Sequence, residues 1–272
     1  MGMVVGTTAM EGAIALARET GVGLVGVRRS THYGMAAYYV LQAIAADCMG
    51  FAFTNSSPGM APYGGRKPVL GVNPLAVGVP AGRRPPIVLD MAMSVIARGK
   101  MRLAAMHGEP IAEGLGLDAQ GRGTTDGMQV FGGGSVLPFG GPKGSGLAIW
   151  MEIMGGVFAG AAFVGQMRSL YEDFSGPQGI GHVFIAIRPD LFMPMADFKA
   201  RMDAMIERLK DSEPAEGVDE VLMPGEPEVR QEAERLRKGL PITPEVLASL
   251  EAEAAQADIP LPALSATPLG AD

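Results

Sequence analysis

Residues 23–46 read GLVGVRRSTHYGMAAYYVLQAIAA, and this stretch decides the fold class. Gly23 to Arg28 is an apolar run of the length and β-branched content expected of a short buried strand. It breaks at the polar turn Arg29-Ser30-Thr31-His32, and apolar residues return at helical spacing from Met35 to Ala46. The pattern then repeats, because Gly50 to Thr54 is a second apolar strand that runs into the polar loop Asn55-Ser56-Ser57-Pro58.

Upstream, Thr7 to Thr20 reads as a helix with Met10, Ile14 and Ala17 on one face and Gly21 as its stop. Downstream, Leu75–Val79 and Ile87–Leu89 read as strands joined by the turn Pro80-Ala81-Gly82, with Asp90 closing the second. A helix is expected from Ser94 through Met101, and a turn at Asp118 to Gly121. The loop Phe139 to Gly144 opens a helix rich in small residues that runs toward Val164. His182–Ile187 reads as a strand and Ala196–Leu209 as an amphipathic helix. Glu228–Lys238 and Pro244–Ala257 read as solvated helices before a frayed Pro/Ala-rich end. Strands and helices interleave without the βαβ cadence of a doubly wound sheet, so the class is α/β with a mixed sheet and flanking helices.

Hydrophobic residues at 47% and charged residues at 19% exclude a disordered chain. A formal net charge of -7 argues against nucleic acid as a partner, since such a surface cannot displace counterions. The 39 glycines and 21 prolines imply many turns where backbone passes close to something. Cys48, the one cysteine, lies among Ala45, Ala46 and Met49. It reads as structural and points to a reducing, cytoplasmic setting. Neither a secretory signal nor a membrane span is expected. In the Gly144–Val164 run, Glu152 and the small residues favour a packed soluble helix.

His32, between a strand and a helix with Ser30 and Thr31 beside it, can trade protons, although a plain surface turn histidine also fits. Asn55-Ser56-Ser57-Pro58 follows a strand's carboxyl end, where α/β proteins place ligands, and it is also an ordinary turn. Asp90 can take hydrogen bonds from a ribose or cap the helix after it, and capping is the plainer reading. Lys143, in Gly141-Pro142-Lys143-Gly144, combines a mobile charge with a helix start suited to an anion. The spacing is not that of a P-loop, and no GxGxxG opens a helix. His107 reads as a surface loop residue and His182 as a hydrogen-bonded structural one. Without a dense His/Cys/Asp cluster, no metal is expected. A serine hydrolase is disfavoured because no GxSxG elbow occurs.

In order along the chain these blocks are distinctive. Ser30-Thr31-His32-Tyr33-Gly34, Thr54 to Pro58, Ala61-Pro62-Tyr63-Gly64-Gly65 and Gly71-Val72-Asn73-Pro74 resemble the malate/L-lactate dehydrogenase family of non-Rossmann oxidoreductases. So do Pro86 to Ala92, Ala97-Arg98-Gly99-Lys100, Thr124-Thr125-Asp126, Gly141 to Gly144, Gly181 to Phe184, and Pro214 to Glu226. The resemblance spans roughly residues 3–245. It implies a hydride transfer between NAD or NADP and a small 2-hydroxy or 2-oxo acid such as malate, lactate, sulfolactate or ureidoglycolate, or a related imino acid. It further implies His32 as the proton-exchanging residue. Ser56, Asp90, Met91, Ala92, Lys143, Pro224, Gly225 and Glu226 are the implied cofactor contacts. A homodimer is implied, with a dinucleotide-binding domain at residues 41–226 inserted into a substrate and dimerisation domain formed by 1–40 and 227–272. Family members carry an early Asp-Ser-His-Gly segment that this chain lacks. The expectation is therefore an N-terminally truncated relative, with a dinucleotide-binding or dimerising module as the alternative to an active enzyme.

Overall fold

Helix α1 (Gly2–Thr20) and strand β1 (Val22–Ser30) open the computed structural model, which describes residues 1–169 and 173–262. α1 starts upstream of Thr7 and ends where Gly21 turns left-handed at φ 90°, a conformation that disfavours any side chain. Met10, Ala13, Ile14 and Ala17 form its buried stripe. Then come α2 (Ala37–Ala45), β2 (Met49–Thr54), β3 (Leu75–Val79), β4 (Ile87–Met91) and α3 (Arg98–His107). Short strands β5 (Gly116–Leu117) and β6 (Gly123–Thr124), helix α4 (Gly127–Phe131) and strand β7 (Ser135–Val136) follow. Helix α5 (Pro142–Glu152) runs into a π-helical turn at Ile153–Phe158 before β8 (Ile180–Ile187) and α6 (Met195–Lys210).

Five strands form one sheet in the order β1-β8-β2-β3-β4, and every neighbouring pair is antiparallel. The late strand β8 threads between β1 and β2. Its apolar run is the mark of a strand covered on both faces, and successive side chains point to opposite sides. Phe184 and Ala186 join α1 and α2 in one core with Tyr39, Val40, Ala52 and Ala76. Val183 joins Phe53 in the opposite core with Met60, Met93, Met101 and Met151. β5, β6 and β7 make a separate small sheet, in order β6-β5-β7, which strand patterning did not reveal because its ladders are so short.

Three expectations are corrected. No helix begins at Ser94, because that segment is held extended. The Phe139 amide donates to the Met93 carbonyl, Val95 donates to Leu137, and the Ser94 hydroxyl donates to the Ile96 carbonyl. The helix begins at Arg98 and carries His107 as its last residue, so His107 is not in a loop. The helix expected to approach Val164 stops being α-helical at Glu152, whose side chain is recruited by neighbouring loops.

Residues 1–226 form one compact unit and 227–272 a second. In the second, α8 (Pro244–Ala257), preceded by α7 (Glu226–Lys238), starts at Thr243, whose hydroxyl accepts the Val246 amide. The two helices bury none of their side chains. Most of the expected frayed end, residues 263–272, lies outside the described residues. Among the described residues no helix is long and apolar enough to cross a membrane.

Candidate active site

Antiparallel pairing brings distant loops to one edge of the large sheet. Ser30 faces Ile180, Thr54 faces His182, Phe53 faces Leu75, and Leu75 faces Met91. The carboxyl ends of β1, β2 and β4 and the amino ends of β3 and β8 therefore share that edge. His32, Ser56 and Asp90 each follow or end one of those strands.

The His32 side chain is exposed, yet its conformation is specified. Its backbone amide donates to Gln178 Oε1 at 2.9 Å, and its ring Nδ1 accepts the Gly34 amide at 3.0 Å. A backbone N–H can only donate, so Nδ1 is the bare nitrogen and the neutral ring carries its proton on Nε2. That leaves Nε2–H to meet a ligand. Gly34 makes the turn at φ 80°.

Tyr33, next in the chain, is buried in a stack of rings. Its centroid lies 4.5 Å from His182 with planes 1° apart, and 4.9 Å from Tyr39. The Tyr39 hydroxyl donates to the Tyr33 carbonyl. Burial, reinforced by the Asp90 carboxylate and Tyr39, holds the Tyr33 phenol well above its usual pKa. His182 is fully buried with Nδ1 2.8 Å from Thr54 Oγ1. Burial pushes its pKa down to about 4; the Thr31 carbonyl opposes that shift and His32 adds to it. His182 is thus buried and bonded through Nδ1, while its Nε2 has no hydrogen-bond partner among the described residues.

Asp90 does cap a helix, but not the one after it. Its Oδ2 accepts the Ala37 amide at 2.7 Å, at the start of α2. Antiparallel pairing makes the difference: the end of β4 lies beside the start of a helix far earlier in sequence. Asp90 thereby ties its own segment to the chain leaving His32.

Ser56 is held by a buried polar network. Its amide donates to Asn73 Oδ1 at 3.0 Å, and its hydroxyl accepts the Asn73 amide at 3.3 Å. Asn73 Nδ2 donates to Glu152 Oε2 at 2.7 Å, while Glu152 Oε1 accepts the Val164 amide at 2.7 Å. Asn55 completes the network, with Nδ2 donating to the Ala162 carbonyl and Oδ1 accepting the Gly181 amide. Asn55, Asn73 and Glu152 are all at most 3% exposed. The π-turn packs directly on this network, since a side chain at Gly155 would come within 2.7 Å of the Asn55 nitrogen. π-helical turns of this kind concentrate at functional sites.

Backbone bonds extend the grouping. Met93, just past Ala92, donates to the Val72 carbonyl and accepts from Phe139, on the loop leading to Lys143. Lys143 is exposed in the first turn of α5, after Gly140 and Gly141 at φ 56° and 62°. That helix start has no side-chain cap and no acidic residue in its first turn. Pro224 accepts the Val88 amide at 3.0 Å, placing Pro224-Gly225-Glu226 along β4. The Glu226 carboxylate accepts Lys210 Nζ at 2.8 Å and the Met223 amide at 3.1 Å, so this side chain is engaged by the end of α6 and by its own loop.

Residues 1–251 match the family model described as malate/L-lactate dehydrogenase. The chain belongs to that family. Family relatives include L-sulfolactate dehydrogenase of Methanothermobacter thermautotrophicus, 40% identical over 96% of this chain and 74% of its own length. Malate dehydrogenase of Pyrococcus abyssi is 38% identical over 92% of this chain and 70% of its own length. The solved structure of sulfolactate dehydrogenase from Methanocaldococcus jannaschii superposes with a TM-score of 0.86 at 38% identity, covering 95% of this chain and 73% of that one. Other family relatives carry NAD(+) or NADP(+) in their names.

Gln178, Asn73, Glu152 and Tyr33 escaped sequence reasoning as site-forming residues. Only Glu152 carried a usable signal, a lone charge inside an otherwise apolar run.

Proposed function

We propose that this chain is an NAD(P)-dependent oxidoreductase that moves a hydride between the nicotinamide and a small 2-hydroxy or 2-oxo acid. The observation that carries the reading is His32, exposed at a sheet edge with its tautomer set, on the same edge as Ser56 and Asp90. The names of the similar dehydrogenases supply the substrate class.

The residues present suit a dinucleotide. An uncapped helix start with Lys143 beside it and left-handed glycines before it offers backbone donors and positive charge to a pyrophosphate. Ser56 and the Asp90-Met91-Ala92 segment offer polar groups for ribose or amide, with Asp90 Oδ2 already accepting the Ala37 amide. Pro224, Gly225 and Glu226 contribute shape and backbone, because the Glu226 carboxylate is already bonded. When bound, the nicotinamide supplies the hydride chemistry.

The protein's own part is placement and charge. His32 presents Nε2–H to the substrate oxygen as a hydrogen-bond donor and steadies the charge that develops there. The buried Asn55–Asn73–Glu152 network keeps the Ser56 loop rigid so that the site is preformed.

We further propose a homodimer in the cytoplasm. Leu147, Ile149, Trp150, Ile153, Val157 and Phe158 are each at least 41% exposed along α5 and the π-turn. Exposed apolar side chains grouped along one segment are the kind of surface that a second copy can cover. The single buried thiol of Cys48 suits a reducing compartment.

The test is steady-state absorbance of NADH and NADPH with a panel of carboxylate- and sulfonate-bearing 2-oxo acids. Turnover with at least one acid is expected. Dinucleotide binding without any turnover would replace this reading with that of a binding module.

A further inference from the structure

We propose that Gln178 is a positioning residue for His32, a role that rests on the reaction proposed above. Pairing between β1 and β8 ends at Ser30 opposite Ile180, after a register shift that begins past Val27. Beyond that point no strand partner reaches the His32 amide. The Gln178 side chain, 8% exposed and two residues before β8, extends the ladder by one bond, with Oε1 accepting His32 N–H at 2.9 Å. The Gln178 backbone is fixed in turn, since its carbonyl accepts the Arg168 amide at 3.3 Å, and the next carbonyl, of Gly179, accepts Ala162 at 3.1 Å.

The consequence falls on the imidazole. The bond from Gly34 N–H to Nδ1 closes across a short turn, and it survives only while the backbone at His32 is held. Anchored by Gln178, the ring keeps Nδ1 turned inward and Nε2–H outward. Released, the turn can rotate, Nδ1 loses its donor, and both tautomers become available. Gln178 touches neither cofactor nor substrate in this account. It acts through the orientation and tautomer of His32.

The experiment compares wild type, Gln178→Leu and Gln178→Glu by ¹⁵N NMR of the histidine rings, by kcat and KM, and by pH–rate profile. Wild type is expected to show His32 as the Nε2–H tautomer with a slowly exchanging backbone amide. Gln178→Leu, similar in size but without the acceptor, is expected to mix the tautomers. It should lower kcat by about tenfold to a hundredfold while KM for the dinucleotide stays within about twofold. Gln178→Glu restores an acceptor oxygen and is expected to recover most of the loss. Its negative charge at the His32 backbone amide should also move the His32-dependent limb of the profile to higher pH. A Gln178→Leu protein with an unchanged tautomer overturns the proposal, whether or not its activity falls. So does a rapidly exchanging His32 amide in wild type, a result that does not depend on any variant folding. The NMR readouts need no turnover, so a chain inactive on every 2-oxo acid would refute the reaction while leaving the His32 geometry separately tested.

Discussion

Asn73 Nδ2 donates to Glu152 Oε2 at 2.7 Å in a region closed to solvent, joining the loop before β3 to the helix behind the sheet. Glu152 also receives the Val164 amide, so its buried carboxylate holds donors from two separate loops. Removing a buried acceptor strands its donors, which costs more than the bond itself contributes. Glu152→Ala is therefore expected to lower unfolding stability by about 2–4 kcal/mol. Urea denaturation measures this, and a loss below about 1 kcal/mol would show that the network is not structural in the way described.

Chemistry and binding should separate at His32. His32→Ala removes the group that meets the substrate oxygen and leaves the Lys143 and Ser56 segments in place. Turnover is expected to fall by roughly 10²–10⁴-fold, with the dinucleotide dissociation constant nearly unchanged. Stopped-flow kinetics beside a binding titration would check this, and unaltered turnover would remove His32 from the reaction.

The sequence made the strands of the large sheet legible, because each is a short apolar run ended by a polar turn. Leu75–Val79 was readable residue for residue, and Pro244–Ala257 likewise, since Thr243 and Pro244 mark a helix start. Strand order was not legible. Nothing local in His182–Ile187 says that it inserts between β1 and β2, and that insertion is what sets His182 against Tyr33. The same limit explains Asp90, whose capping role was foreseen but whose helix, α2, lies on the other side of a tertiary contact. Gln178 looks like an ordinary turn residue until the end of the β1–β8 ladder is known.

A pH dependence follows from His182. Its folded-state pKa is lowered from 6.5 to about 4, so the unfolded chain takes up a proton before the native one does. Stability from this residue is fully present above pH 6.5 and is lost as pH falls toward about 4, by about 3 kcal/mol in all. Chemical denaturation at several pH values across that window measures the slope. His182→Phe should flatten it, and an unchanged slope in that variant would assign the effect to other groups.

Lys143 is expected to act on affinity alone. Lys143→Ala removes the charge beside the α5 start while leaving the His32 turn untouched. Dinucleotide binding should weaken by roughly tenfold to a hundredfold, with single-turnover rates at saturating cofactor little changed. Isothermal titration gives the dissociation constant, and an unaltered value would take Lys143 out of the site.

The most direct measurement is a fluorescence titration of the purified wild-type chain with NADH and with NADPH. Saturable binding of at least one, with a dissociation constant below about a millimolar, is the predicted result. A folded chain that binds neither nucleotide at millimolar concentration would contradict the assembly of a dinucleotide site along this sheet edge.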